Sequence, residues 1–204
     1  MIRILGARLE WLEDAEALLF SLPPQWREAW SEAHPKSRGD ARRLSLGGLS
    51  LLRLLGGEGE LIYQNGKPFL RDVGVDFSIS HTGGAVFCAV SKDAEDGKIG
   101  LDAEDMGRSP ELRPETLAKR WFSQAEREIF EKNNTREAFF GIWTRKEALV
   151  KQSGVGLSGL READSVALVQ EGERFFQTLH KDEFLISVCC GQKTQVVLSW
   201  LGEL

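Results

Sequence analysis

The chain has 204 residues, of which 42% are hydrophobic and 28% are charged, so it can bury a core and its composition argues against disorder. Its formal net charge of −5 argues against non-specific nucleic-acid binding, which favours basic proteins. The start has no signal-peptide pattern, and no apolar run approaches the roughly 20 residues of a membrane span, so we expect a cytoplasmic protein.

The first half predicts a strand, a helix and a hairpin, in that order. Residues 1–11 begin as a short strand-like run. Leucines recur at helical spacing over residues 40–55, and Gly56-Gly57 closes this helix. Residues 75–91 contain two β-rich runs around Thr82-Gly83-Gly84, a pattern that predicts a β-hairpin.

The second half begins with the same kind of strand, over residues 99–104. Ser123, with Glu126 three residues later, is spaced for a capping box and predicts a helix over residues 123–132. These two elements precede the longest helical pattern of the chain.

That longest pattern predicts a helix over residues 135–152. Asn134 and Glu137 can form a capping box at its start, and Gly154 is placed to end it. The last element is a second predicted hairpin over residues 183–201, with its turn at Gly191-Gln192.

The two halves resemble each other, because Phe77–Ser80 and Phe184–Ser187 have similar sequences, each in the predicted first strand of a hairpin. Such an order of elements also recurs by chance, so both interpretations stay open. An internal duplication predicts an α+β protein with two similar, pseudo-symmetric subdomains, each a long helix on a small antiparallel sheet. They would cover residues 1–95 and 96–204, with the active site between them.

The strand over residues 99–104 carries two candidate metal ligands. Side chains alternate along a strand, so Asp102 and Glu104 share one face, opposite an apolar face. Two such carboxylates can bind a hard divalent cation, although a solvated strand edge explains them equally simply.

Three residues of the long helix, Trp143, Glu147 and Lys151, follow one another at intervals of four residues on one face. A surface salt bridge between Glu147 and Lys151 is the plain interpretation. The bulky Trp143 favours a partly buried face instead. Glu147 would then add a third carboxylate to a metal site, and Lys151 could bind a phosphate.

Two further segments contain candidate phosphate ligands. His81 follows Ser80 at a predicted strand end and could donate to an anionic oxygen, or could be purely structural. Lys67 lies in a turn stiffened by Pro68, where it could contact a phosphate or be solvated.

In this order and spacing, five motifs resemble those of the Sfp-type phosphopantetheinyl transferases, the long form with two fused halves that is similar to holo-acyl-carrier-protein synthase. The motifs are GKP (66–68), FSISHT (77–82), GLDAED (100–105), FS-x-x-E (122–126) and WTRKEALVKQSGVGLS (143–158). The resemblance implies an enzyme with two similar α+β subdomains. If these two halves already form the interface, we expect a monomer.

The resemblance also assigns roles to residues. Asp102, Glu104 and Glu147 match the family's ligands of Mg²⁺, with Mn²⁺ as the alternative ion, and Lys151 matches its lysine that contacts the pyrophosphate. We expect Glu147 and Lys151 to be the catalytic residues, with Glu147 as the general base and Glu104 as the second choice for that role. The residues that match its coenzyme A-binding positions are Arg43, Lys67, Pro68, Ser80, His81 and Lys151.

The implied reaction moves the 4′-phosphopantetheine of coenzyme A to a serine of an apo acyl or peptidyl carrier protein and releases 3′,5′-ADP. Carriers of this kind are usually acidic, so docking needs a basic patch, for which we expect Arg108, Arg113, Lys119 and Arg120. Two rivals stay open: a protein that binds coenzyme A or a carrier without catalysis, and a metal-dependent phosphohydrolase.

Overall fold

The computed structural model describes residues 1–64, 66–71, 74–93, 96–107 and 113–203, with only the backbone of residues 157 and 158. These residues form two compact units, Met1–Ala94 with Thr194–Leu204, and Glu95–Lys193. Both units combine helices with small sheets, which confirms the predicted α+β class. The pseudo-symmetry of the two subdomains stays a prediction. In the described ranges no helix is both long and apolar enough for a membrane span.

The described part of the first unit contains a four-stranded sheet, a two-stranded sheet and three α-helices. Its elements are β1 (Ile2–Arg8), α1 (Ala15–Ser21), α2 (Pro24–Ala33), α3 (Gly39–Leu54), β2 (Glu60–Gln64), β3 (Lys67–Arg71), β4 (Asp76–Thr82), β5 (Ala85–Ser91) and β9 (Val196–Trp200). The larger sheet has the order β4-β5-β1-β9, in which β1 is antiparallel to β5 and parallel to β9. Strands β4 and β5 confirm the first predicted hairpin.

Two glycines let α3 lie close to its neighbours in the first unit. A Cβ on Gly48 would stand 2.7 Å from Ile79 Cγ2, and one on Gly47 would stand 2.7 Å from Leu12 Cδ1. Since real Cβ atoms do not come that close, the helix holds its place because these positions lack side chains.

The second unit contains one antiparallel sheet with the order β6-β8-β7, against which the long helix α6 packs. Its elements are β6 (Gly100–Asp105), α4 (Pro114–Trp121), α5 (Gln124–Asn133), α6 (Arg136–Ser153), α7 (Ala167–Gln170), β7 (Phe175–Lys181) and β8 (Phe184–Cys190). The hairpin of this unit is formed by β7 and β8, and its second strand pairs with β6.

The predicted hairpin over residues 183–201 is therefore wrong. Strand β8 pairs with β7 and β6, whereas β9 lies parallel to β1, with Ile2 opposite Val196. This pairing assigns residues 194–204 to the first unit, although the sequence predicted them in the second subdomain. It also places Phe184–Ser187 in the second strand of its hairpin, so the predicted match with Phe77–Ser80 in a first strand is wrong.

Of the three helix ends predicted for α5 and α6, two are confirmed. The Ser123–Glu126 capping box is present at the start of α5, and Gly154 ends α6 with a φ of 74°. The predicted box of Asn134 with Glu137 is wrong, because Asn134 adopts φ 42° as the last cap of α5. Thr135 caps α6 instead, accepting the backbone N–H of Ala138.

Strand β6 and helix α6 lie in close contact at Gly100. A Cβ there would stand 1.9 Å from the carbonyl oxygen of Ala148 and 2.6 Å from the backbone nitrogen of Gln152. Both obstacles are helix backbone, which cannot move aside as a flexible side chain can. The absence of a side chain at Gly100 thus sets the distance between strand and helix.

We expect Gly100→Ala to lower the free energy of unfolding by at least ~1–3 kcal/mol, because the strand must separate from the helix. Gly141→Ala is the matched control, since a Cβ at this position of α6 meets no atom within 4 Å. That control should raise stability by roughly 0.5–1 kcal/mol, through helix propensity alone. Denaturant unfolding of both variants measures the difference, and equal effects would contradict the close contact.

Candidate active site

The second unit brings together the predicted metal ligands and the predicted phosphate ligand on α6 and β6. Asp102 and Glu104 share with Gly100 the face of β6 that meets α6, as alternation along a strand requires. Asp102 is only 3% exposed, and Glu104, Glu147 and Lys151 are partly buried. The close strand–helix contact places these side chains at the border of the core.

Lys151 reaches across from α6 to the strand. Its Nζ donates to Asp102 Oδ1 at 2.6 Å, and the Asp102 side chain is 5% exposed against 28% for that of Lys151. A charge-assisted bond of this length is strong where one partner is desolvated. It fixes the relative position of the acidic strand and the helix that carries Glu147.

Glu147 is the carboxyl group whose titration the site changes most clearly. Burial is the main cause that raises its pKa from 4.5 to about 7; the charges of Asp102 and Glu104 raise it further, and Lys151 opposes them. The three carboxylates therefore act on one another electrostatically. The Lys151 ammonium opposes this repulsion but does not cancel its effect on Glu147.

Such a donor set suits a divalent cation, because hard cations prefer carboxylate oxygens and positive charge would relieve the repulsion among the three carboxylates. Within the described residues, no group of three or more His, Cys, Asp or Glu side chains is already arranged as a metal cage. The fit therefore rests on the chemistry and mutual repulsion of the three carboxylates.

Four predicted coenzyme ligands lie on strands of the first unit. Lys67 and Pro68 begin β3, opposite Gln64 and Tyr63, so they belong to a strand rather than to the predicted turn. The Lys67 ammonium lies 5.2 Å from the ring centroid of Phe69.

Ser80 and His81 occupy successive positions of β4. Ser80 is 4% exposed, whereas His81 is exposed near the end of the strand. The exposed imidazole can meet a ligand, and the buried hydroxyl belongs to the opposite face of the strand.

Arg43 holds backbone in the first unit. Its guanidinium donates to the carbonyl oxygens of Leu9, Leu12 and Glu13, at 3.0, 2.7 and 3.2 Å. These bonds give Arg43 a structural role at the 3-10 helix Leu9–Trp11, beside the coenzyme-binding role predicted for it.

Comparison with known proteins decides the family of the chain. Residues 98–200 match the model of the 4′-phosphopantetheinyl transferase superfamily. The chain is 30% identical to 4′-phosphopantetheinyl transferase Sfp of Bacillus subtilis over 79% of this chain and 73% of that protein. It is 34% identical to 4′-phosphopantetheinyl transferase AcpT of Escherichia coli over 65% of this chain and 66% of AcpT.

The chain belongs to the 4′-phosphopantetheinyl transferase superfamily. It is an enzyme of this type, as its motifs predicted. A third relative, 4′-phosphopantetheinyl transferase HetI of Nostoc, is 35% identical over 48% of this chain and 43% of HetI. Residues 98–200, which match the superfamily, contain β6 and α6 and hence all four clustered side chains.

Sequence reasoning missed a buried charge beside this cluster. Lys146, the residue before Glu147, is fully buried and forms an ion pair with the fully buried Glu126. A signal existed, because Lys146 follows Phe139 and Ile142 at the helical spacing of a core stripe. A lysine in such a stripe needs a buried partner, and the motif FS-x-x-E supplies it.

The raised pKa of Glu147 predicts a pH dependence of stability in cation-free protein. Since the folded state holds this proton more tightly than the unfolded state, stability is complete below pH 4.5 and falls as pH rises through about 7. In the presence of a chelator, we expect the Tm of the parent to drop more between about pH 5 and about pH 8 than that of Glu147→Gln. Parallel Tm profiles would contradict the assignment.

Proposed function

We propose that the chain transfers the 4′-phosphopantetheine of coenzyme A to a serine hydroxyl of an apo acyl or peptidyl carrier protein, with Mg²⁺ as cofactor. The observation that carries this proposal is the cluster of three carboxylates and Lys151 on β6 and α6, inside the region that matches the superfamily. Relatives named as phosphopantetheinyl transferases support the same chemistry.

Asp102, Glu104 and Glu147 would hold the cation, for which Mn²⁺ is the alternative. When bound, a divalent cation supplies charge that stabilises the phosphate oxygens of the coenzyme. The remaining work belongs to the protein: Lys151 donates to the pyrophosphate, and His81, with Ser80, Lys67, Pro68 and Arg43, is assigned to the coenzyme.

In the transfer, the serine oxygen of the carrier forms a bond to the β-phosphorus of coenzyme A. The bond between that phosphorus and the bridging oxygen breaks, and 3′,5′-ADP leaves with the bonding electrons. The serine proton passes to Glu147 as general base, with Glu104 as the second choice. Positioning and charge neutralisation dominate reactions of this class.

We expect Glu147→Gln to lower the transfer rate by at least ~10²–10⁴-fold, because the amide neither accepts the proton nor contributes charge to the cation site. The measurement is release of 3′,5′-ADP from coenzyme A in the presence of an apo-carrier. Glu137→Gln is the matched control, since Glu137 lies on the same helix with a 68% exposed side chain. Near-parent rates in folded Glu147→Gln would refute its role.

Carrier docking is assigned to a basic surface of the second unit. Of the predicted patch, Arg113, Lys119 and Arg120 are exposed, whereas residue 108 lies outside the described ranges. The structure adds Arg161 from a separate segment, because Arg120 and Arg161 both lie over the ring of Trp121, at 4.8 and 5.7 Å. We call these side chains the Trp121 patch; its members are Arg113, Lys119, Arg120, Trp121 and Arg161. They combine positive charge with an aromatic surface, which suits an acidic partner.

Charge reversal at Arg120 and Arg161 together should raise the KM for the carrier by about tenfold, because surface charges govern encounter with an oppositely charged partner. The KM for coenzyme A should stay unchanged. Lys132→Glu, an exposed position on α5 outside the Trp121 patch, gives the matched control. An unchanged KM for the carrier in the double variant removes the Trp121 patch from the account.

A further inference from the structure

Lys146 carries a fully buried charge at the position directly before Glu147. Its Nζ lies 2.8 Å from Glu126 Oε2, neither side chain of the pair is exposed, and Nζ also donates to the carbonyl of Ala163. Burial of an ion pair is costly unless its geometry and further hydrogen bonds compensate. An apolar pair of similar volume would fill the same space, so packing alone does not require these two buried charges.

The Glu126 carboxylate is bonded on both oxygens. Oε2 also accepts the backbone N–H of Ser123, and Oε1 accepts the backbone N–H and the hydroxyl of Ser165, at 2.8–2.9 Å. The Lys146–Glu126 pair thus joins α6 to the start of α5 and to the segment around Ser165. Three separate stretches of chain meet at one buried charge.

This attachment limits the rotation of α6. Successive residues of an α-helix point about 100° apart, so Glu147 projects between Lys146 on one side and Ala148 on the other. Lys146 is held by Glu126, and the backbone carbonyl of Ala148 lies against Gly100 of β6. Rotation of α6 about its axis would break the Lys146–Glu126 ion pair, so the pair fixes the direction of Glu147, while the backbone contact at Gly100 keeps the helix against the strand.

We propose that the Lys146–Glu126 pair is a positioning device that fixes the rotation of α6 and thereby directs Glu147, and Lys151 one turn later, toward the acidic strand β6. Lys146 and Glu126 are positioning residues, which act through Glu147 and Lys151. This inference rests on the proposed function, because it concerns the residues assigned there to the cation and the coenzyme.

The double variant Lys146→Met/Glu126→Gln tests the device, since it removes both charges and keeps an amide that can bond to Ser165. We expect a folded protein with kcat lowered by about tenfold or more, as misdirected groups lose catalytic alignment, and with an unchanged KM for the carrier. Hydrogen exchange of the backbone amides over residues 147–152 should become faster, and that readout requires no catalysis.

Phe130→Leu is the matched control, because it loosens the aromatic cluster beside α6 without touching the ion pair. At a similar loss of Tm it should retain the parent kcat. Parent kcat and parent exchange in the folded double variant would overturn the proposal, as would an equal loss of kcat in Phe130→Leu, which would indicate general destabilisation.

Should the double variant fail to fold, Ser165→Ala replaces it, because it removes one donor from Glu126 and leaves both charges in place. We expect kcat to fall by about threefold with an unchanged KM for the carrier, and the parent kcat would overturn the proposal. A parent protein that loads no carrier would instead refute the proposed function. The exchange comparison would still report whether the pair orders α6.

Discussion

The contact between Gly100 and the backbone of α6 is the constraint on which the candidate site depends. A side-chain atom at this position would stand 1.9 Å from the carbonyl oxygen of Ala148, so strand and helix can come this close only with glycine there. That distance decides whether Asp102 and Lys151, on the two elements, can bond at 2.6 Å. The lack of a side chain at Gly100, two residues before Asp102, therefore allows the contact between Asp102 and Lys151.

The short distance between β6 and α6 also changes the titration of the clustered carboxylates. Three carboxylates at the edge of the core repel one another and lose solvation. Both effects raise the pKa of Glu147 to about 7. The lysine ammonium relieves only part of the charge. The same features that make the site costly in the isolated protein favour a divalent cation and a phosphate-bearing ligand, since functional sites concentrate such perturbed groups.

Much of the fold and of the candidate site was predictable from the sequence, and the features that were not predicted have physical causes. Two local signals were confirmed, the Ser123–Glu126 box and the glycine that ends α6, because they depend on neighbours along the chain. The Asn134–Glu137 box was wrong, because two helices meet there and Asn134 ends the first of them. The pairing partner of β9 was predicted wrongly, because alternation identifies a strand but does not indicate the strand with which it pairs. Spacing and motif order found the acidic cluster, whereas Lys146 and Glu126, 20 residues apart, reveal their bond only in the fold.

Intact-mass measurement of a panel of apo-carriers, each incubated with the parent enzyme, coenzyme A and Mg²⁺, tests the central claim most directly. The account predicts that at least one carrier gains the mass of a single phosphopantetheine group while 3′,5′-ADP appears in solution. It is contradicted if no carrier gains mass with folded enzyme, or if phosphopantetheine is released without any carrier, as a phosphohydrolase would do.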